Sequence, residues 1–83
     1  MGILTYIKNM TPEEQASNKA FRLAGIWHSS SKDQSAQKRI ESEKEIILCS
    51  YTSKPEYAEK FNAVLAYYMI RENYIKQSNE IYN

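Results

Sequence analysis

The feature that most constrains this chain is an unbroken helical pattern near its C-terminus. Glycine and proline are both absent after Pro55, and apolar residues recur at helical spacing over residues 54–79. A helix of that length would extend for about 40 Å at ~1.5 Å per residue. A chain of 83 residues supports one small core, so such a helix would span the whole domain. The pattern therefore predicts an all-α fold with a long C-terminal helix.

The predicted C-terminal helix carries apolar residues on two opposite sides. One side is typical of a core stripe and comprises Tyr57, Phe61, Val64, Leu65, Tyr68 and Ile75. The other side comprises Ala63, Tyr67, Ile70, Tyr74 and Ile81. Because a helix that is apolar on both sides needs neighbours on both sides, we expect the second side to be covered as well.

Two more helices are predicted ahead of this one. Thr11 and Glu14 have the spacing of a capping box, which indicates a helix over residues 12–29. Another helix is predicted over residues 32–51, although its last part, residues 45–52, is also compatible with a short strand. A lone strand would lack a pairing partner, so we favour the helix.

The C-terminal helix has a start signal of its own, because Ser53 and Glu56 also have capping-box spacing. The short connections predict an antiparallel bundle of three helices that forms a single domain over residues 1–83. Residues 1–10 would add an N-terminal arm or a short fourth helix. The core is predicted to comprise Ala16, Ala20, Leu23, Trp27, Ala36, Ile40, Ile47, Leu48, Phe61, Val64, Leu65 and Tyr68.

Residues with catalytic or metal-binding chemistry are scarce. His28 and Cys49 are the single histidine and the single cysteine of the chain. A zinc site would need two carboxylates beside them, and a nucleophilic pair would need an orienting third group that the sequence does not identify. We interpret Cys49 as a buried packing residue and Gly25 as a point where another helix comes close. We therefore expect a protein that is not an enzyme and takes no metal or cofactor.

The charge balance argues against nucleic acid as the partner. Eleven basic and ten acidic residues give a formal net charge of +1. The basic residues of the first two helices are followed directly by acidic ones, so the sequence does not predict the continuous positively charged groove that single-stranded nucleic acids need. No apolar run approaches the ~18 residues of a membrane span. With one cysteine and no secretory pattern, a cytoplasmic protein is expected.

These exclusions favour a protein–protein interaction module that acts as an adaptor or an inhibitor of a larger protein. The candidate interface lies on the second side of the C-terminal helix and comprises Tyr67, Ile70, Arg71 and Tyr74. Either a second copy of the chain, in a homodimer, or a different protein would cover it. The alternative is that residues 3–7 fold back over this side.

The same helix also suggests other functions. Tyr67, Arg71 and Tyr74 would suit a nucleotide or another small ligand at a subunit interface, because phenols and a guanidinium can stack on a base and pair with phosphate. A nucleic-acid-binding regulator is the remaining alternative. In size and composition the chain is similar to helical anti-defence proteins of phages and mobile elements and to small bacterial regulators, without a residue motif that ties it to either.

Overall fold

The chain is described by a computed structural model over residues 10–82. Within this range it folds into four α-helices and no strand: α1 (Pro12–His28), α2 (Gln34–Cys49), α3 (Pro55–Met69) and α4 (Arg71–Tyr82). The predicted all-α bundle is confirmed, and residues 45–49 belong to a helix rather than to a strand. Of the predicted N-terminal arm, residues 1–9 lie outside the described part of the chain.

Side chains at the helix starts explain where α1 and α2 begin. Thr11 Oγ1 accepts a hydrogen bond from the Glu14 N–H at 3.1 Å, and Glu14 Oε1 accepts one from the Thr11 N–H at 2.8 Å, as the capping box predicts. At the start of α2, the Asp33 carboxylate accepts a hydrogen bond from the Ala36 N–H at 2.9 Å. These bonds satisfy amide groups that have no partner within their helix.

The capping box predicted at Ser53 and Glu56 is wrong. Lys54 is the residue before α3, and its side chain makes no capping hydrogen bond. Its N–H donates to the Tyr51 carbonyl at 2.9 Å, so the chain is still in a tight turn one residue after Ser53. Pro55 then begins the helix, because its fixed φ suits a first helical residue.

The core lies along the seam between α1 and α3. Ala16, Ala20 and Ala24 recur at every fourth residue of α1, and their relative exposure is 0%. Phe61 of α3 is equally buried and belongs to the same cluster. Side chains as small as alanine leave room for a large ring from the facing helix, so the seam is filled mainly from the α3 side.

Half of the predicted core is fully buried, namely Ala16, Ala20, Leu23, Ile40, Phe61 and Leu65. Five more predicted residues are half-buried and pack against this cluster, namely Trp27, Ile47, Leu48, Val64 and Tyr68. Ala36 lies outside the cluster and Cys49 is exposed, so both predictions were wrong. The reason is shared: within the described residues, α2 fully buries only Ile40 and turns most of its surface to solvent.

The continuous helix predicted over residues 54–79 is also wrong, because the chain breaks at Ile70. This residue has φ −75° and ψ 114°, an extended conformation, and α4 begins directly after it. The described molecule measures 36 by 36 by 21 Å, so a straight helix of about 40 Å would carry its last turns beyond the rest. Instead, α4 packs against α3 and α1.

Side chains replace the backbone hydrogen bonds that the break removes. In a continuous helix, the carbonyls of Tyr67 and Tyr68 would accept from the N–H groups four residues later. Here Asn73 Nδ2 donates to the Tyr67 carbonyl at 3.0 Å, and His28 Nε2 donates to the Tyr68 carbonyl at 2.7 Å. The other ring nitrogen of His28 is buried and has no partner among the described residues. The break is therefore stabilised by specific contacts, one of which comes from α1.

Tyr74 attaches α4 to α1. Its ring stacks on Phe21 with the ring centroids 4.8 Å apart, and it lies 5.1 Å from the His28 ring. A Cβ atom at Gly25 would come within 2.6 Å of the Tyr74 hydroxyl oxygen, so this position of the ring requires glycine. The predicted close approach at Gly25 is confirmed, and the approaching group is this tyrosine side chain.

Candidate functional site

A groove opens between α2 and α3, because both helices pack against α1 but hardly against each other. It has a volume of about 670 Å³. Its apolar lining consists of Trp27, Ile40, Leu48, Leu65, Ala66 and Met69. Its polar lining consists of Gln37, Glu41, Lys44 and Asn62. We call this feature the α2–α3 groove.

The two walls of the groove follow from helical spacing. On α2, residues 37, 41, 44 and 48 lie along one line of the helix, and the first three are polar. Burying these polar groups against α3 would require a hydrogen-bond partner for each of them, so this side of α2 does not close against α3. On α3, Asn62, Ala66 and Met69 form the opposite wall, in which Ala66 is short and exposed.

Trp27 forms part of the groove at the C-terminal end of α1. It is the single tryptophan of the chain, and it is only half-buried. Met69 of α3 lines the same space and supplies a flexible thioether that can adapt to an irregular partner. Aromatic and methionine side chains are enriched in protein–protein interfaces, so the chemistry of this lining suits a protein partner.

The candidate interface residues are divided between two environments. Tyr67 and Ile70 are exposed by 53% and 56%, and Arg71 is exposed as well. Tyr74 is half-buried, because its ring packs on Phe21. The expectation of one face on a continuous helix was wrong, because the helix breaks at Ile70. The binding of a nucleotide or another small ligand by two phenols and a guanidinium stays a prediction.

The exposed part of the predicted interface adjoins the α2–α3 groove. Ala66 of the groove wall directly precedes Tyr67 in the chain and lies four residues before Ile70. Residues four apart, such as Ala66 and Ile70, are neighbours on a helix surface, whereas adjacent residues such as Ala66 and Tyr67 do not face each other. Sequence reasoning identified Tyr67 and Ile70 but missed the groove beside them, because the groove depends on how far apart α2 and α3 lie on α1.

Tyr68, beside the break, keeps its phenolic proton at neutral pH. Burial raises the pKa of this phenol above its ordinary value of 10.0, and the nearby Tyr67 and Glu80 raise it further. Its ring meets Phe21 edge-on, with the centroids 5.1 Å apart. The flank of the molecule that holds α4 is therefore packed with aromatic rings.

Other kinds of site receive little support from the described residues. No group of three or more histidine, cysteine, aspartate or glutamate side chains within residues 10–82 is placed to hold a metal ion. His28 is bonded to the Tyr68 carbonyl, while Cys49 is exposed on α2. Over the described range, every helix is too short or too polar to cross a membrane.

Comparison with known protein families, with curated proteins and with solved structures finds no match for this chain. The arguments for its function therefore come from its own residues.

Proposed function

We propose that this chain is a protein-interaction module without catalytic activity, which acts as an adaptor or inhibitor by receiving an amphipathic helix of a larger protein. The α2–α3 groove is the binding site. The observation that carries this proposal is the open apolar groove between two helices that both rest on a third. An amphipathic helix laid in an apolar groove is a common mode of peptide recognition.

The geometry of the bundle supports a helix as the occupant. A helix in the α2–α3 groove would have α2 on one side, α3 on the other and Trp27 beneath it, as in a four-helix bundle. The chain's own α4 does not fill this position, because its Tyr74 packs against Phe21 and His28. An incoming helix would thus cover apolar surface at Leu48 and Met69 that α2 and α3 leave open.

The polar lining defines the partner's chemistry further. Glu41 and Lys44 give the groove one charge of each sign, beside the uncharged Gln37 and Asn62. A partner helix therefore needs an apolar stripe at i, i+3 or i+4, and i+7, flanked by residues of both charges. Since the charges balance, we expect the affinity to change little with salt, in contrast to the steep dependence of nucleic-acid binding.

A small apolar ligand is the second candidate for this site. The volume of about 670 Å³ lies within the range of ~300–1,000 Å³ that is typical of small-molecule pockets. The two candidates differ in how far along the groove the bound molecule must reach. A helix would contact Ala66 at the outer wall, whereas a small ligand would contact only the floor of the groove around Trp27.

Site-specific cross-linking tests the proposal. A photoreactive phenylalanine analogue is placed at Ala66, in the groove wall, and, as a matched control, at Ala63, which is exposed on the same helix outside the groove. In cells that express the chain, position 66 should cross-link to an amphipathic helical segment of one protein, and position 63 should not. Identical cross-links from both positions, or cross-links to a non-helical segment, would contradict the proposal.

Binding of the identified segment then provides the quantitative test. A synthetic peptide of that segment should shift the fluorescence of Trp27, the single tryptophan of the chain. We expect Ala66→Arg to abolish this shift and Ala63→Arg to retain it, with the thermal stability of both variants unchanged because both positions are exposed. A fluorescence shift that a small apolar molecule produces and Ala66→Arg does not affect would favour the second candidate.

A further inference from the structure

We propose that two copies of this chain exchange α4, so that each copy joins α3 and α4 into one straight helix and docks its α4 on the α1 and α3 of the other. The surface that receives the exchanged helix is the one that holds α4 in the single chain: Phe21, Gly25, His28 and Tyr68. The partner is thus a second copy of the same chain. This inference goes beyond the proposed function and involves the opposite flank of the molecule.

The first argument is that the local sequence does not require the break. Ile70 is neither glycine nor proline, and both are absent from the rest of the chain after Pro55. The Ile70 side chain is 56% exposed, so its own burial does not hold the bend. An isoleucine in a helix costs only a fraction of a kcal/mol relative to the best helix formers. The local preference is therefore for a continuous helix, and the bend is imposed from outside.

The second argument concerns the hydrogen bonds at the break. In the bent form, Asn73 and His28 satisfy the carbonyls of Tyr67 and Tyr68. In the straight form, the backbone N–H groups of Arg71 and Glu72 would satisfy the same two carbonyls through ordinary helical bonds. Both forms thus leave these carbonyls paired, so straightening the helix does not leave unsatisfied backbone groups.

The third argument identifies what covers the vacated surface. Straightening within one chain would withdraw Tyr74 from Gly25 and leave Phe21, His28 and Tyr68 exposed to water. Gly25 leaves room on this surface for the Tyr74 hydroxyl, so Tyr74 of another copy would fit there as the chain's own Tyr74 does. Exchange of an identical helix reproduces the packing of α4 on α1 and changes only the contacts at the hinge, which makes it a low-cost route to a dimer. The hinge between α3 and α4 is a single residue, Ile70, and such short hinges favour the exchange of helices between copies.

Exchange also accounts for the exposed residues at the hinge. Tyr67 and Ile70 are more than half exposed in the single chain, although both are large and apolar or aromatic. Two straight helices that exchange their ends pass each other at the hinge, where they would cover these side chains. The α2–α3 groove contains no residue of α4, so the dimer would keep two grooves and bind a partner with two sites bivalently.

Substitutions on either side of the hinge test this inference. Arg71 is the first residue of α4, a position where proline is favoured, and proline there also disfavours a helical conformation at Ile70. Arg71→Pro should therefore lock the bent form and give a monomer, with an unchanged or higher melting temperature. Arg71→Ala, which removes the same guanidinium but permits a helix, is the matched control and should dimerise at least as well as the original chain.

Asn73→Ala tests the opposite direction, because it removes a carbonyl cap that only the bent form uses. It should strengthen dimerisation at least about fivefold, because each of the two chains lacks one hydrogen bond that would favour its bent form. Asn79→Ala, in the same helix, controls for the gain in helix propensity. All variants are refolded at high micromolar concentration and analysed by size-exclusion chromatography with light scattering.

Each result of this series decides the question. Dimers of the original chain that Arg71→Pro abolishes and Asn73→Ala strengthens support the exchange. Dimers that Arg71→Pro leaves intact would place the contact elsewhere and overturn it. A monomer in both the original chain and Asn73→Ala would overturn it as well. Cross-linking at Ala66 is independent of α4, so either overturning result leaves the test of the groove unaffected.

Discussion

The two flanks of α1 are built in different ways. Toward α3, α1 presents three fully buried alanines that face the equally buried Phe61. Toward α2, the contact is loose, and within the described residues α2 adds only Ile40 to the buried core. A chain of this length buries a smaller fraction of its surface than a larger domain does, so its stability depends strongly on the one tight seam. The loose flank is where a binding groove can form without weakening that seam.

Truncating one core residue on each flank of α1 should give the largest losses of stability, and it tests whether the α3 flank is packed more tightly than the α2 flank. We expect Phe61→Ala to lower the free energy of unfolding by about 3–5 kcal/mol, through lost burial and the cavity that remains. Ile40→Ala should lower it by about 2 kcal/mol, because the groove beside Ile40 lets water and side chains fill the gap. Urea denaturation followed by circular dichroism measures both changes. Equal losses for the two variants would show that the flanks are not different.

A smaller effect is expected from acid, which should loosen α2 before α1. Two hydrogen bonds hold the pKa of the Asp33 carboxyl below its ordinary value of 3.8. The larger effect comes from the Ala36 N–H and the smaller one from the Ser31 hydroxyl. A lowered pKa in the folded state means that this cap stabilises α2 fully above pH ~3.8 and is lost as the pH falls through the lowered value. The α2 helix depends on this cap because it has little burial to hold it.

Hydrogen exchange in mild acid, followed amide by amide, measures this difference. We expect the first turn of α2 to lose protection below about pH 4, while α1 remains protected along its seam with α3. Asp33→Asn keeps a capping oxygen that does not titrate, so its α2 should show no such transition. Simultaneous loss of protection in α1 and α2 would contradict a separate, loosely held α2.

The smallest effect is expected in the connection that leads to α2. Lys32 has φ 58°, a left-handed conformation that is unfavourable for a residue with a side chain. Lys32→Gly removes this strain but also loses the hydrogen bond from the ammonium group to the His28 carbonyl, 2.9 Å away. We expect a net stabilisation of about 0.5 kcal/mol or less, measured as a rise in the midpoint of urea unfolding. A clear loss of stability would mean that the side chain of Lys32 holds α2 in place.

Local rules were sufficient for some of the features that depend on neighbours in sequence, although the capping box predicted at Ser53 and Glu56 did not form. The start of α1 was predictable because Thr11 and Glu14 bond to each other three residues apart. The seam was predictable in outline because alanine and leucine recur at helical spacing on α1. The sequence pattern also singled out Tyr67 and Ile70 as residues that a partner would cover; both are exposed in the single chain, and the partner stays a prediction.

The break at Ile70 was beyond local rules, because what holds it comes from far along the chain. His28 bonds to a carbonyl forty residues away, and Gly25 admits a ring from α4. The groove escaped prediction for a related reason. The apolar residues of α2 indicate that it packs on something, but not that it stays apart from α3. How far two helices separate on a third depends on the packing of all three.

The alanines at every fourth position of α1 set a condition on how this protein can diverge over evolution. Ala16, Ala20 and Ala24 are fully enclosed, so almost any replacement adds atoms where there is no space and wedges α3 away. The residues of α2 outside the groove, in contrast, mostly face solvent and can change more freely. Distant relatives should therefore share small residues at every fourth position of their first long helix, rather than any particular large side chain. The amino-acid sequences of such a family would diverge quickly while the fold is retained.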